Sequence, residues 1–308
     1  MTDRAHDVVV LGGIGTDYLV KGEALPGQGG SAPGEAFVTS AGGKALNQAV
    51  GAARLGAWAA VVGRVGRDAR GDAALDHLSR ERVDTAYVVR DPARPTAATV
   101  VMVGRSGRRQ SMMAAGATAA VGPEDVEAAA AAFAGASVVL APLEVSLAAV
   151  GTAARLATTG AARFVLDAGP PAELPDELVR LAYLVRGNGS EIEALTGVMP
   201  SDAASARRAA AVLVRRGARC AAVGTANGDL VVGEGLDLWM PHPPGDIVDL
   251  TGAGDAFCAA LAADLARGAS LETSARLAHA ASIFAVQELG ASASLATRDR
   301  LAADVKFS

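Results

Sequence analysis

A chain of 308 residues, 51% of them hydrophobic, has enough apolar surface for one large α/β domain or two smaller ones. Its formal charge of −5 carries no basic block, which argues against nucleic acid or an anionic membrane as partner. Cys220 and Cys258 have neither metal nor disulfide-framework spacing, and no window reaches the ~18 uncharged residues of a membrane span, so a soluble cytoplasmic protein is expected. Aromatic residues are only 4%, leaving alanine, valine and leucine to pack the core, a composition suited to parallel strands covered by helices on both faces.

Charged Asp3, Arg4 and Asp7 precede an apolar run, Asp7 to Gly13, that reads as a buried first strand. Asp17 lies at its exit. A dinucleotide fingerprint is excluded there, because Tyr18 occupies the place of the third glycine and no amphipathic helix follows. Gly22 to Gly34 is rich in glycine and proline, and Glu35 to Ser40 reads as a short strand, together a sheet-like excursion from the main body. Gly42 and Gly43 open a helix running to Leu55, where Lys44 and Asn47, three apart, share a face that can hydrogen-bond a polyol. Lysine otherwise occurs only at Lys21 and Lys306, so its presence in a glycine motif is informative. A strand from Ala59 to Val62 and a helix ending near Arg82 follow.

Thr96 to Val103 and Arg108 to Met113 read as a hairpin around Gly104 to Gly107, a second piece of the excursion. Helix and strand then alternate: helix Pro123 to Phe133, strand Ser137 to Ala141, helix Ser146 to Thr159, strand Arg163 to Leu166. Glu144 follows the C-terminal end of a strand, where open α/β sheets bind ligands, although an acid there also reads as a helix cap. Asp167 to Leu178 reads as a rigid turn leading to a short helix, after which strand Tyr183 to Val185 runs into Asn188 and Glu191, which have capping-box spacing. Helix Ala203 to Arg216 and strand Ala221 to Val223 lead to the loop Gly224 to Gly228.

Asp246 to Val248 reads as extended, and Asp249 to Phe257 as a glycine turn opening a helix that reaches Arg267. Gly252, Ala253 and Gly254 expose unpaired amides at the positive end of the helix dipole, an anion seat suited to phosphate. Asp255, in the first turn beside that seat, is placed to take a proton from a hydroxyl presented to a phosphoryl group. A last long helix, Leu271 to Glu288, carries His279 and ends in the loop Gly290 to Ser294.

Gly-Gly-Lys-x-x-Asn-Gln-Ala from Gly42, Arg54-Leu55-Gly56, Gly-x-Val-Gly-x-Asp-x-x-Gly from Gly63, and Asp-x-Thr-Gly-Ala-Gly-Asp-Ala-Phe from Asp249 occur in this order. The set resembles the two signatures of the ribokinase-like (PfkB-type) carbohydrate kinase family over almost the whole chain. The resemblance implies a three-layer α/β/α domain over residues 1–308, with a mostly parallel central sheet and a small β lid from segments near 17–40 and 96–113. It implies ATP-dependent phosphorylation of a primary hydroxyl of a small sugar, ribose foremost. The sugar is then expected on Asp17, Gly42, Gly43, Lys44, Asn47 and Glu144, and ATP on Asn188, Thr225, Gly228, Gly254 and His279. Asp255 acts as base, with Gly252, Ala253 and Gly254 as the anion hole. Glu191 is expected to hold Mg²⁺ through water, and Asp249, Thr251, Ala285, Glu288, Gly290 and Ser294 to bind K⁺. The ATP loop departs from the family pattern, matching cleanly only at Gly228. Gly15 stands where ribose-specific members carry a sugar-binding Asn, a change expected to remove a hydrogen bond and open space. Another pentose, a ketohexose or a nucleoside therefore stays open as acceptor, the few aromatics weighing against a nucleoside. A binding protein without turnover is the alternative from another class. The resemblance also leaves open a homodimer paired through the lid.

Overall fold

The computed structural model describes residues 5–304 except Asp246; Asp3, Arg4 and Lys306, named above, lie outside the described residues. In chain order, β1 (Val8–Leu11), β2 (Gly15–Lys21), β3 (Ala36–Gly42) and α1 (Lys44–Arg54) are followed by β4 (Ala59–Gly66), α2 (Ala69–Arg80) and β5 (Asp84–Asp91). Next come β6 (Ala97–Val103), β7 (Arg109–Ala114), a 3₁₀ turn (Gly116–Ala120), α3 (Pro123–Ala128), α4 (Ala130–Gly135), β8 (Val138–Pro142) and α5 (Leu147–Thr159). The second half holds β9 (Arg163–Asp167), α6 (Asp176–Leu181), β10 (Leu184–Asn188), α7 (Gly189–Thr196), α8 (Ala203–Arg215), β11 (Cys220–Gly224), β12 (Gly228–Gly233) and β13 (Leu236–Pro241). It closes with α9 (Ala253–Ala266), α10 (Leu271–Ala285) and α11 (Arg298–Asp304).

Nine strands form one sheet in the order β13-β12-β11-β10-β9-β8-β1-β4-β5. All neighbours are parallel except β12 and β13, which close one edge as an antiparallel hairpin. Alternation within the fully buried strands feeds two cores. Val8 and Val10 face one side with Val138 and Leu140, together with α1, α2, α9 and α10, whereas Val9 and Leu11 face the helices from α3 to α8. Buried small residues let helices approach closely, and a Cβ on Gly51 of α1 would stand 2.7 Å from Ala259 Cβ of α9. Cys220 and Cys258 are both free and buried. Among the described residues no helix is long and apolar enough to cross a membrane.

A separate four-stranded sheet, β3-β2-β6-β7, gathers the excursion segments. Leu19, Val101 and Val103 are buried on its inner side. Its outer side is apolar as well: Val20 pairs with Phe37 and Val100 with Met112, and Phe37, Val100 and Met112 are 66, 47 and 81% exposed.

Several expectations change. The helix expected over Pro123 to Phe133 is broken at Ala129 into α3 and α4. The long final helix ends at Ala285 rather than Glu288. Asp246, in the expected extended run before the anion seat, lies outside the described residues, and Ile247 to Leu250 form no strand. Pro243 and Pro244 follow β13 and remove two backbone donors, so the chain reaches the seat through an irregular connection. Val248 and Asp249 instead donate their amides to Val286 O, at 2.9 and 3.3 Å, which ties the connection to the end of α10.

Candidate active site

The parallel strands end on one edge of the large sheet, and the polar residues collect beyond their C-terminal ends. Gly252 adopts a left-handed conformation (φ 86°) as N-cap of α9, which aims the first-turn amides out of the turn, and Asp255 follows within that turn. Asp255 is 6% exposed. Asn47 Nδ2 donates to its Oδ2 at 3.0 Å, Gln48 Nε2 donates to Oδ1 at 3.1 Å, and Lys44 Nζ lies 3.6 Å from Oδ1. All three donors come from the first turns of α1, so two helix N-termini face each other across the site.

Asp167, the last residue of β9, completes the cluster. It is fully buried and receives Lys44 Nζ at 3.1 Å and Gln48 Nε2 at 2.8 Å, while Arg186 Nη1 stands 3.6 Å away. Burial acts to lower the proton affinity of Lys44, but Asp167, Asp255 and Glu191 outweigh it and keep the ammonium charged. Arg186, on β10, lies over the Phe257 ring and beside the anion seat: a Cβ on Gly254 would lie on its guanidinium. Arg186 Nη1, Asn47 Oδ1, Gln48 Oε1 and Asp167 Oδ1 are buried without a hydrogen-bond partner. Such groups are costly unless something bound there satisfies them.

Glu144 does not cap α5; Ser146 does, accepting from Ala149 N. Glu144 Oε2 accepts the Lys44 amide at 2.9 Å, and burial first, then the Asp255 and Asp167 carboxylates, push its carboxyl up to about 7 against the pull of Lys44. Asp17, on β2, is pushed up to about 6, mainly by burial and further by Asp255 and Asp249, with Thr99 and Arg109 opposing. Its carboxylate packs on Gly42, where a side chain would displace it. Because the folded state holds the Glu144 proton more tightly than an unfolded chain, this residue favours folding below the usual glutamate pKa of 4.5. That contribution is lost as pH rises through about 7. Glu144→Gln is therefore expected to gain stability relative to the parent between pH 5 and pH 8; paired urea titrations that show no pH-dependent difference would contradict the assignment.

Asn188 and Glu191 form half of the expected capping box: Glu191 Oε2 accepts Asn188 N–H at 2.8 Å, and Arg186 Nη1 lies 3.8 Å from the same oxygen. Asp249 is fully buried; its Oδ1 accepts Thr251 N–H at 2.9 Å and the Thr251 hydroxyl at 2.7 Å, and its Oδ2 accepts Gly290 N–H at 3.0 Å. Ala285 ends α10 nearby and Ser294 Oγ donates to Ala291 O at 2.9 Å. The Glu288 side chain is turned toward Arg300, 3.9 Å away. The small sheet reaches this end of the site, Arg109 Nη1 donating to Thr251 Oγ1 at 3.2 Å.

Thr225 and Gly228 close the turn between β11 and β12: Thr225 Oγ1 donates to Gly228 O at 2.9 Å and accepts the Asn227 and Gly228 amides at 3.1 Å. His279 pairs with Asp229, Nδ1 to Oδ2 at 2.8 Å. Burial raises the Asp229 carboxyl, yet hydrogen bonds from His242 and His279 hold it down at about 2. The space expected at Gly15 is closed, since β2 pairs with β6 at Ala97 and a Cβ on Gly15 would meet Ala97 O at 2.7 Å.

Asp167, Gln48 and Arg186 join the site without any role expected from the sequence. Asp167 carried a usable signal, an acid at the C-terminal end of a parallel strand. Arg186 carried none beyond a charge inside an apolar run.

The pfkB family carbohydrate kinase pattern matches residues 5–298, and the chain belongs to that family of α/β sugar kinases. Ribokinase of Mus musculus is 34% identical over 270 residues, covering 86% of this chain and 83% of the relative. Deoxyribokinase of Salmonella typhi is 28% identical over 298 residues, covering 94% and 95%. The Arabidopsis thaliana ribokinase complexed with ribose and ATP superposes with a TM-score of 0.88 at 29% identity, covering 99% of this chain and all of the other.

Proposed function

We propose that the protein transfers the γ-phosphoryl group of ATP to a primary hydroxyl of ribose. The observation that carries this reading is the Asp255 carboxylate, fixed by Lys44, Asn47 and Gln48 at the opening of α9 beside the amides of Gly252, Ala253 and Gly254. Asp255 takes the hydroxyl proton as the oxygen attacks. The amides, with Arg186 alongside Gly254, balance charge on the phosphoryl group in flight. Orphaned Asn47 Oδ1 and Gln48 Oε1 are acceptors for sugar hydroxyls, and Asp17, Gly42, Gly43 and Glu144 complete the sugar's surroundings beneath the small sheet, which serves as lid. Asn188, Thr225, Gly228 and Gly254 are assigned to ATP, whereas His279, expected there from the sequence, is held by Asp229 instead. The deciding assay is ATP consumption with ribose, 2-deoxyribose, ketohexoses and nucleosides as acceptors. Ribose is expected to turn over best; 2-deoxyribose is the nearest competitor, since Gly15 offers no side chain to read a hydroxyl. ATP as donor goes with a cytoplasmic location.

Glu191 suits a water-mediated role toward Mg²⁺, a hard ion that prefers carboxylate and water ligands. Mg²⁺ bound there would neutralise phosphate charge. Asp249 suits a monovalent cation: it is a fully buried carboxylate whose hydrogen bonds come from neutral donors of Thr251 and Gly290. K⁺ is assigned to it with Thr251 and the main chain near Ala285, Glu288, Gly290 and Ser294. Turnover is expected to rise several-fold when K⁺ replaces an organic cation; a rate indifferent to K⁺ would remove this site.

The exposed outer face of the lid, with Phe37, Val100 and Met112, supports a homodimer joined there. Met112→Asp is expected to shift the sedimenting species from dimer to monomer, and a parent that sediments as a monomer at all concentrations would end the proposal.

A further inference from the structure

Among the described residues, one group of histidine, cysteine and acidic side chains has ligand atoms close enough to share an ion: Asp229, His242 and His279, all within 4.8 Å of one another. They come from three elements that the fold holds in register. Asp229 is in β12 and pairs with Met240 of β13; His242 lies just past that strand, its amide donating to Asn227 O at 2.9 Å; His279 is in α10.

The ring nitrogens of His242 set the problem. Nδ1 lies 3.3 Å from Ala226 O and Nε2 lies 3.4 Å from Asp229 Oδ2, so both face oxygen acceptors. A neutral imidazole has one N–H. When Nδ1–H donates to the Ala226 carbonyl, the Nε2 lone pair is aimed at a carboxylate, an arrangement relieved either by a proton on Nε2 or by a metal ion between them. A backbone carbonyl on one ring nitrogen and a metal on the other is the usual setting of a histidine ligand. His279 adds a second imidazole, its Nδ1 2.8 Å from the same Asp229 oxygen, with its ring stacked on that of His242 at 5.5 Å.

We propose that Asp229, His242 and His279 bind a divalent transition metal, Zn²⁺ in the first instance, as a three-ligand site. Metal–ligand bonds of about 2.0–2.1 Å at tetrahedral angles separate neighbouring donors by about 3.3 Å. The two observed separations from Asp229 Oδ2, 2.8 and 3.4 Å, bracket that value. The Asp229 and His279 side chains are 9 and 13% exposed and that of His242 is 32% exposed, so entry is from the His242 side and a water can take the fourth position. One carboxylate and two imidazoles favour zinc over magnesium or calcium, which take oxygen ligands.

Tag-free protein, stripped with a chelator and free of nucleotide, is titrated with Zn²⁺ against a chromophoric chelator, and with Co²⁺ to read ligand-field absorption. One equivalent of Zn²⁺ and a four-coordinate Co²⁺ spectrum are expected. His242→Ala and Asp229→Asn are each expected to weaken Zn²⁺ by at least about 100-fold, because losing an outer-shell partner alone costs 10- to 100-fold. If Asp229→Asn does not fold, the partly exposed His242→Ala and His242→Gln variants carry the test. Zn²⁺ affinity unchanged in those variants, or no Zn²⁺ retained by the parent, would overturn the site and leave a protonated histidine between the two oxygens. Binding is read directly, so failure of the kinase reading leaves this outcome unaffected.

Discussion

Asp255→Asn is expected to lower kcat by about 10²–10⁴, the range for removal of a positioned base, with the KM for ATP changed little. The substitution keeps shape but replaces one acceptor oxygen by a donor nitrogen. Lys44, Asn47 and Gln48 all present N–H groups to Asp255, so the new amide also meets a donor where it needs an acceptor. Initial-rate kinetics beside a thermal melt separate the two effects: lost turnover with a folded, ATP-binding protein supports the assignment, and undiminished turnover contradicts it.

Asp167→Asn is expected to destabilise the protein by roughly 3–5 kcal/mol, the cost of removing one partner from a buried ion pair. Asp167 is fully buried between Lys44 and Arg186, and its loss leaves two cations sharing the remaining carboxylates. The contrast is Arg207 with Asp237, a bidentate pair at 2.7–2.9 Å that is about half exposed on both sides, where Asp237→Asn is expected to cost under about 1 kcal/mol. Urea unfolding with unchanged m-values measures both. Equal effects at the two sites would mean that Asp167 is not what neutralises Lys44 and Arg186.

The sequence disclosed what periodicity and backbone chemistry control. The apolar run at Val8–Leu11, the helix–strand alternation after Pro123 and the glycine turn at Gly252 follow from local rules, and their elements stand within a few residues of expectation. Strand β5 and the β12–β13 hairpin passed unread. β5 mixes Asp84, Thr85 and Arg90 with its apolar residues because it lies at a sheet edge, where a strand needs no continuous hydrophobic run. Asp255 and Lys44 are 211 positions apart, and motif order rather than pattern suggested that they meet. Asp167 and Arg186 belong to no short motif, so only the folded chain reveals that Asp167 meets Arg186, 19 residues away, and Lys44, 123 residues away. At Gly15 a missing side chain suggested room, but whether a glycine leaves space depends on its neighbour, here the main chain of Ala97.

Phosphate transfer to ribose is tested most directly by phosphorus NMR of the product formed from ATP, Mg²⁺ and ribose, run in parallel with the Asp255→Asn protein. A new phosphomonoester on the primary hydroxyl, made by the parent and suppressed in the variant, is the predicted result. Formation of ADP with inorganic phosphate alone, or equal product from both proteins, would contradict it.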